Sequence, residues 1–501
     1  HLNAALEEVW STQGDRCAVI DQIEGEVSYA ELGDRVRRMA AALKSMGVRP
    51  GDRILSCCDK SLNALIAQLA VMRIGAIHNP VNPAIASGEL AHVIADAAPS
   101  LAVTGRANLD VSVATIELSR LVELADTETP SSEKPEHGDG TAVILYTSGT
   151  TGRPKGAVIT HRMWLTLLEE LAVAWQITPA DRLLHVLPIF HGHGLALAAL
   201  LPLLCGATID FRLRFDMKDF VDRIRDATVV MAVPTIYSRL VEAKALTPES
   251  CQRMRLFVSG SAALPGHVHA AFRTMTGQVI LERYGTTETG IICSNPVDGE
   301  RKPGKVGRPL SCVEMRIVDA DRRAVPVGEV GEIQVRGPTV FDHYWNKPRE
   351  AKDFSEDGYF IPGDLGRCDH DGYVEIVGRS KEMIVSGGFN IYPAEVENAL
   401  REDPAVLDVA VFGVPHPDFG EAAIAAIILG GGAERSEEAM SAFLRGYLTP
   451  YKIPKRFMFV SDLPRNAMGK VQRNILGGQH RSLFDRPSDH AVSPDIDGGR
   501  Q

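Results

Sequence analysis

The sequence has no excess of basic charge, no paired-cysteine motif, no apolar run of membrane length and no internal repeat. Its 53 Lys and Arg against 64 Asp and Glu leave a formal charge of -11. That argues against a nucleic-acid binder, a role that needs a net basic face. An acidic whole is still compatible with a locally basic pocket for an anionic ligand. Eight cysteines are scattered at 17, 57, 58, 205, 251, 293, 312 and 368, with no CxxC pair and no Cys/His cluster at metal-ligand spacing. They predict reduced thiols in a cytoplasmic protein, not a disulfide frame. The adjacent Cys57 and Cys58 are poorly placed to bridge each other. The apolar run at 195–205 falls far short of the roughly 20 residues that span a bilayer, so it reads as core and no stable membrane insertion is expected. The first ten residues are mixed and acidic, and no secretory leader is expected there.

What is present is the composition of a globular chain, 45% hydrophobic and 23% charged, and 501 residues exceed one ordinary domain. The first 230 residues alternate helical and strand patterns: a helix over 29–46, a strand over 52–56, a helix opened by Ser61, and a strand from Gly75. This rhythm predicts an α/β fold with mostly parallel, helix-covered sheets. Residues 126–140 read as a polar linker. From about 305 to 378 short β runs separated by turns predict a small β-barrel or meander. Beyond 382 a compact α+β unit follows, with helices over 393–400 and 437–447 and strands near 407–413 and 422–429. The polar residues from His480 onward predict disorder.

The sharpest feature is Tyr146-Thr147-Ser148-Gly149-Thr150-Thr151-Gly152-Arg153-Pro154-Lys155-Gly156. Glycines let backbone N–H groups approach an anion, and hydroxyls with one ammonium complete a phosphate cradle. A plain flexible loop is the bland alternative. A Walker A loop is a further competitor, but the spacing GxxGxxKG differs from GxxxxGK[ST]. A strand is expected on both sides of this loop, with the next helix starting only near Arg162. No helix N-terminus would then face the phosphates.

This loop resembles the signature of the adenylate-forming superfamily: acyl- and aryl-CoA synthetases, peptide-synthetase adenylation domains and beetle luciferases. Further motifs follow in the family's order across residues 25–478. They are Leu187-Pro188-Ile189-Phe190-His191-Gly192-His193-Gly194, Tyr284-Gly285-Thr286-Thr287-Glu288, Gly358 to Asp364, Gly378-Arg379-Ser380-Lys381, Gly387-Gly388-Phe389-Asn390-Ile391-Tyr392-Pro393 and Pro464 to Lys470. The resemblance implies a large N-terminal domain of two α/β sheets plus a β-barrel at 1–378, a hinge at 379–382, a small mobile α+β domain at 383–479 and a tail at 480–501. It implies ATP, Mg²⁺ and coenzyme A as cofactors or co-substrates, a small carboxylic acid as the substrate, and no nucleic-acid partner.

Residue roles follow from the same resemblance. Thr147, Ser148, Gly149, Thr150, Thr151, Gly152 and Lys155 would hold phosphates. Glu288 and Thr151 would hold Mg²⁺ through oxygen, and Thr287 would donate to a phosphate oxygen. Tyr284 offers a flat ring to adenine, with Gly260, Ser261 and Ala262 as a small-residue wall and Glu282 and Gly285 beside it. Asp364 can accept from both ribose hydroxyls, with Arg379 donating nearby. Lys470 would meet the carboxylate and the α-phosphate as a compact point charge. Acetylation of Lys470 by a lysine acetyltransferase would remove that charge. Lys381 occupies the pivot, and Gly387-Gly388 would line a pantetheine tunnel or simply make a hairpin turn. Rotation of a small domain is a suitable gate for two half-reactions.

The acid is read from arginines. His191 is expected at the mouth of the acyl pocket; with His193 alone it makes a poor zinc site. Arg283, just before Tyr284, is costly to bury unpaired and matches a carboxylate bidentately. Arg239, in a segment the family uses for the pocket wall, is expected to join it; an internal Glu or Asp partner is the alternative for either. The stretches 282–296, 387–393 and 413–420 look particularly like malonyl-CoA synthetases, with Thr286 where that group usually shows Met. A short dicarboxylate such as malonate or methylmalonate is therefore expected. A medium-chain or aryl acid CoA ligase and a free-standing adenylation enzyme loading a carrier protein are the alternatives. A non-catalytic AMP sensor would tolerate loss of Lys470 or Glu288, and both are present.

Overall fold

The computed structural model describes residues 1–105, 112–131, 133–134, 140–147, 154–350, 352–430, 433–465 and 471–484. The fold divides into two compact units, His1–Val377 and Gly378–Gln501.

In the first unit, side chains start the helices where the sequence places polar caps. Ser28 Oγ accepts from the Glu31 N–H below Tyr29–Ser45, Ser61 Oγ from Ala64 N–H below Leu62–Arg73, and Thr160 Oγ1 from Met163 N–H below His161–Ala174. Two sheets result. One has six strands in the spatial order Thr115–Glu117, Leu101–Thr104, Arg53–Cys57, Ile77–Pro80, Thr141–Thr147, Lys155–Thr160. All its pairings are parallel except the last, a hairpin whose final register pair is Thr147 with Lys155. The other has nine strands, with a parallel centre running Leu281–Thr286, Leu256–Ser259, Val229–Ala232, Arg182–His185, Thr208–Phe211, Cys17–Asp21 and antiparallel strands at both edges. The run at 195–205 is core, as expected; its first part lies in a π-helix, His193–Leu200, with every residue buried.

The β-rich stretch meets the meander expectation and not the barrel. Glu314–Val318, Gly331–Arg336, Asp364–Cys368 and Val374–Arg379 form a four-stranded open sheet in sequence order, with no closure into a barrel among the described residues. All eight cysteines are free thiols. Among the described residues no helix is long and apolar enough to cross a membrane.

The second unit is built on the hairpin Val406–His416 and Gly420–Leu429, joined by Ile384–Ser386, Phe389–Ile391 and Arg456–Phe459. Both faces of that hairpin are buried, because alternate residues serve two cores. Val409 and Val411 pack with Val396, Leu400, Met440 and Leu444; Ala410 and Phe412 pack with Leu463 and Leu476. The tail expectation needs a correction at its start: Leu483 and Phe484 pack against the second of these cores, and Phe484 lies 4.7 Å from the His416 ring. Residues 485–501 lie outside the described residues.

Candidate active site

In an open α/β sheet, ligands sit beyond the carboxyl ends of the parallel strands, and the sequence motifs converge there. His185 ends one strand and Ser259 another; Glu282 is in register with Ser259 on the next, and Arg283 follows. Gly260 is required by what lies on it: a Cβ there would stand 2.3 Å from Arg283 Cζ and Nε. Ser261 adopts a left-handed φ of 72°, rare for a residue with a side chain. Its Oγ lies 3.2 Å from His193 Nδ1.

Arg283 is 7% exposed, and its Nε and Nη2 have no hydrogen-bond partner. Burial pulls its guanidinium down to about 10, still charged at neutral pH. His193 beside it is held well below the usual imidazole range, by burial first and then by the Arg283 charge. It is therefore neutral, and its Nε2 is also unpartnered. Ser259 Oγ is a further buried polar atom without a partner. His191 accepts from the His193 N–H at 3.2 Å through Nδ1. An arginine and two neighbouring side chains, all with unsatisfied polar atoms, are unusual in a native interior. Arg239 does not join them. It is exposed on the helix Pro234–Glu242, where it lines a recess of about 520 Å³ with Phe215, Asp216, Met217, Glu242 and Ala243.

On the nucleotide side, the Tyr284 hydroxyl donates to Asp364 Oδ2 at 2.5 Å, so the residues read as adenine and ribose contacts are joined. Glu288 Oε1 accepts from Tyr344 Oη at 2.9 Å and more loosely from Thr147 Oγ1 at 3.5 Å. Lys155 Nζ sits 4.6 Å from the centroid of the Tyr344 ring. Ser148, Gly149, Thr150, Thr151 and Gly152 lie outside the described residues, as does Lys470. Thr286 turns onto Thr289, which accepts its N–H at 3.1 Å. Thr287, Gly285 and the Glu288 carboxylate follow on the same turn, half-buried, while Ala262 is exposed. Tyr344 was missed by the sequence reading; its only signal is a Tyr-Trp pair in the otherwise polar stretch 342–350.

Glu282 carries a measurable pH signature. Burial raises its carboxyl to about 7, although the Gly304 N–H donates to Oε1 at 2.9 Å. A carboxyl raised in the folded state stabilises fully below its unfolded value of 4.5, and that contribution is lost as pH rises through about 7. By pH 8 the cost reaches about 3 kcal/mol, from the size of the shift. Glu282→Gln keeps an acceptor for Gly304 without the charge. Denaturant unfolding should find it more stable than wild type at pH 8, with the gap closing towards pH 5; a pH-independent gap would contradict this account.

In the second unit, Arg379 ends the strand Val374–Arg379 and Lys381 lies in the short turn Ser380–Glu382. Gly387 and Gly388 form a two-residue hairpin turn with φ of 58° and 83°, the conformation that favours glycine at both positions. The ends of the segment 466–470 are held together: Arg465 bridges Val471, and Gln472 N–H donates to Pro464 O at 2.8 Å. Just beyond, Arg473 is held by both oxygens of the buried Glu397, at 2.8 and 3.0 Å, and by Glu382 at 3.1 Å.

A strand hairpin flanking a Gly- and Thr-rich loop, a hydrogen bond joining Tyr284 to Asp364 and a buried Arg283 are the arrangement expected of an adenylate-forming enzyme. The chain belongs to the AMP-binding enzymes, whose family matches residues 6–345, with the AMP-binding enzyme C-terminal domain matching 395–470. Within that family it is an ATP-dependent acid–thiol ligase of the AMP-forming class. It is 36% identical to the mitochondrial malonate–CoA ligase ACSF3 of Mus musculus, over 92% of this chain and 88% of that one. A feruloyl-CoA synthase of Amycolatopsis sp is 34% identical over 91% of this chain and 94% of its own. The crystal structure of ATP-bound MatB from Rhodopseudomonas palustris superposes with a TM-score of 0.92 at 39% identity, covering 96% of this chain and 99% of that chain.

Proposed function

We propose that this ligase activates a short dicarboxylic acid, malonate or a methyl-substituted malonate, and transfers it to coenzyme A. The observation that carries the reading is the buried Arg283, two of whose nitrogens have no hydrogen-bond partner. A substrate with one carboxylate at each end supplies the missing partner while its other end reacts. The relatives named malonate–CoA ligase support the same reading.

One carboxylate oxygen of the acid attacks the α-phosphorus of ATP, and pyrophosphate leaves. The thiol of coenzyme A then attacks the acyl carbon, losing its proton, and AMP leaves. Arg283 holds the distal carboxylate in this reading, and neutral His193 adds a hydrogen bond without a second charge. Lys155 and Lys470 offset the charge gathered at the phosphates. Glu288 and Thr151 would hold a magnesium ion, whose charge neutralises the triphosphate. The donor set fits: Glu288 is half-buried, and its Oε2 accepts from none of the described residues. Mg²⁺ on phosphates typically takes only one or two protein carboxylates.

An aryl acid, suggested by the feruloyl-CoA synthase relative, would leave Arg283 unmatched. The test is AMP release from malonate, methylmalonate, octanoate, benzoate and ferulate, with and without coenzyme A. Malonate and methylmalonate are expected to support CoA-dependent turnover and the monocarboxylates not. Ferulate above malonate would overturn the dicarboxylate reading, and AMP accumulation indifferent to coenzyme A would favour a carrier-loading enzyme.

A further inference from the structure

Tyr344 stands outside every sequence motif of the site, yet it touches both halves of the phosphate machinery. Its hydroxyl donates to Glu288 Oε1, and Lys155 rests on its ring face. Its position is fixed by backbone: Tyr344 bridges Ala157, and the next residue, Trp345, donates its N–H to Gly156 O at 2.7 Å. The ring is set edge-on against Phe341 at 4.7 Å, and Phe341 N–H in turn donates to the Glu288 carbonyl at 2.7 Å. One residue is thus pinned to the strand leaving the phosphate loop and to the turn carrying the acidic residue. Packing alone needs the ring and not the hydroxyl.

A glutamate carboxylate rotates about a broad, nearly two-fold terminal torsion, so its orientation must come from its partners. Here both hydroxyls, of Tyr344 and Thr147, go to Oε1, and Oε2 accepts from none of the described residues. We propose that Tyr344 is a positioning residue for nucleotide binding: it fixes the Glu288 carboxylate so that Oε2 faces the divalent cation carried by the triphosphate. Its ring seats Lys155 by a cation–π contact. The proposal rests on the reading that Glu288 takes that cation. Outer-shell partners of this kind typically change metal affinity by about 10–100-fold.

The experiment is calorimetric titration of ATP into the full chain across a series of Mg²⁺ concentrations and with EDTA alone. For Tyr344→Phe, the Mg²⁺ concentration giving half its effect on ATP affinity should rise about tenfold, with affinity in EDTA unchanged. The Mg²⁺ dependence of pyrophosphate exchange should shift alike, with the rate recovering at high Mg²⁺. Tyr344→Leu removes the seat of Lys155 as well and should also weaken ATP binding in EDTA. An unchanged Mg²⁺ titration for Tyr344→Phe, or equal weakening with and without Mg²⁺, would overturn the proposal. Glu288→Gln separates the two levels: if it leaves the Mg²⁺ titration in place, the cation reading of Glu288 has failed. If it shifts that titration while Tyr344→Phe does not, only the role of Tyr344 falls.

Discussion

Arg283→Met is expected to make the substrate-free protein more stable while removing its activity towards malonate. An arginine without a carboxylate partner is an uncompensated buried charge; replacing even a buried ion pair by apolar groups of similar volume is often neutral or stabilising by about 1–4 kcal/mol, and a lone charge has no pair attraction to lose. Methionine fills the space without branching onto Gly260, over which the guanidinium lies. Truncating one side of a buried charge pair costs about 2–5 kcal/mol in binding. That corresponds to a fall of about 30- to 4,000-fold in kcat/KM. Malonate should accordingly raise the melting temperature of wild type and not of the variant. Arg283→Lys keeps the charge but loses the fork, and should fall between the two. The alternative, an internal acidic partner, predicts the opposite sign: Arg283→Met would then strand a buried carboxylate and cost about 3–5 kcal/mol. A melting temperature that drops, with malonate turnover retained, would remove the dicarboxylate reading and leave the ligase class untouched.

Much of this site was legible in the sequence because it is local. The cap residue Ser61 and the hairpin around the phosphate loop each depend on neighbours in the chain. Arg283 was legible because its type conflicts with its expected burial. Arg239 stands apart from the Arg283 cluster, and helical periodicity shows why it is exposed. On Pro234–Glu242, Tyr237 is fully buried and donates to Val258 O at 2.8 Å. Two positions later is roughly 200° around the helix, so Arg239 turns outward. Barrel against open sheet was not legible, since alternation and turns specify antiparallel neighbours but not whether the first and last strands meet. Leu483 and Phe484 were hidden by the polar composition around them, and their partners lie on the distant strand containing Phe412 and Val414. Tyr344 was invisible for a related reason. Its meaning comes from Glu288 and Lys155, residues 56 and 189 positions away in the chain.

The expected effect of Lys470→Ala is confined to one half-reaction. In the first, a carboxylate must approach a triphosphate of like charge, and a positioned cation lowers that barrier directly. Losing one preorganised group of this kind typically costs 10²–10³-fold, so pyrophosphate exchange should fall by about 1,000-fold. In the second, a neutral acyl carbon is attacked and AMP departs, and no cation is needed between two anions. Thioester formation from supplied acyl-adenylate and coenzyme A should therefore stay near wild type. The flanks of the lysine argue that its loss will not unravel the unit around it. Arg465 and Val471 pair across the segment 466–470, and Arg473 is held by the buried Glu397. These contacts involve no atom of Lys470, so the melting temperature should be unchanged. Arg473→Ala makes the useful contrast, because it removes the cation closest to the buried Glu397 carboxylate and should depress both half-reactions together with stability. If Lys470→Ala slows both half-reactions equally in a protein of normal stability, the lysine is not the cation of the adenylation step.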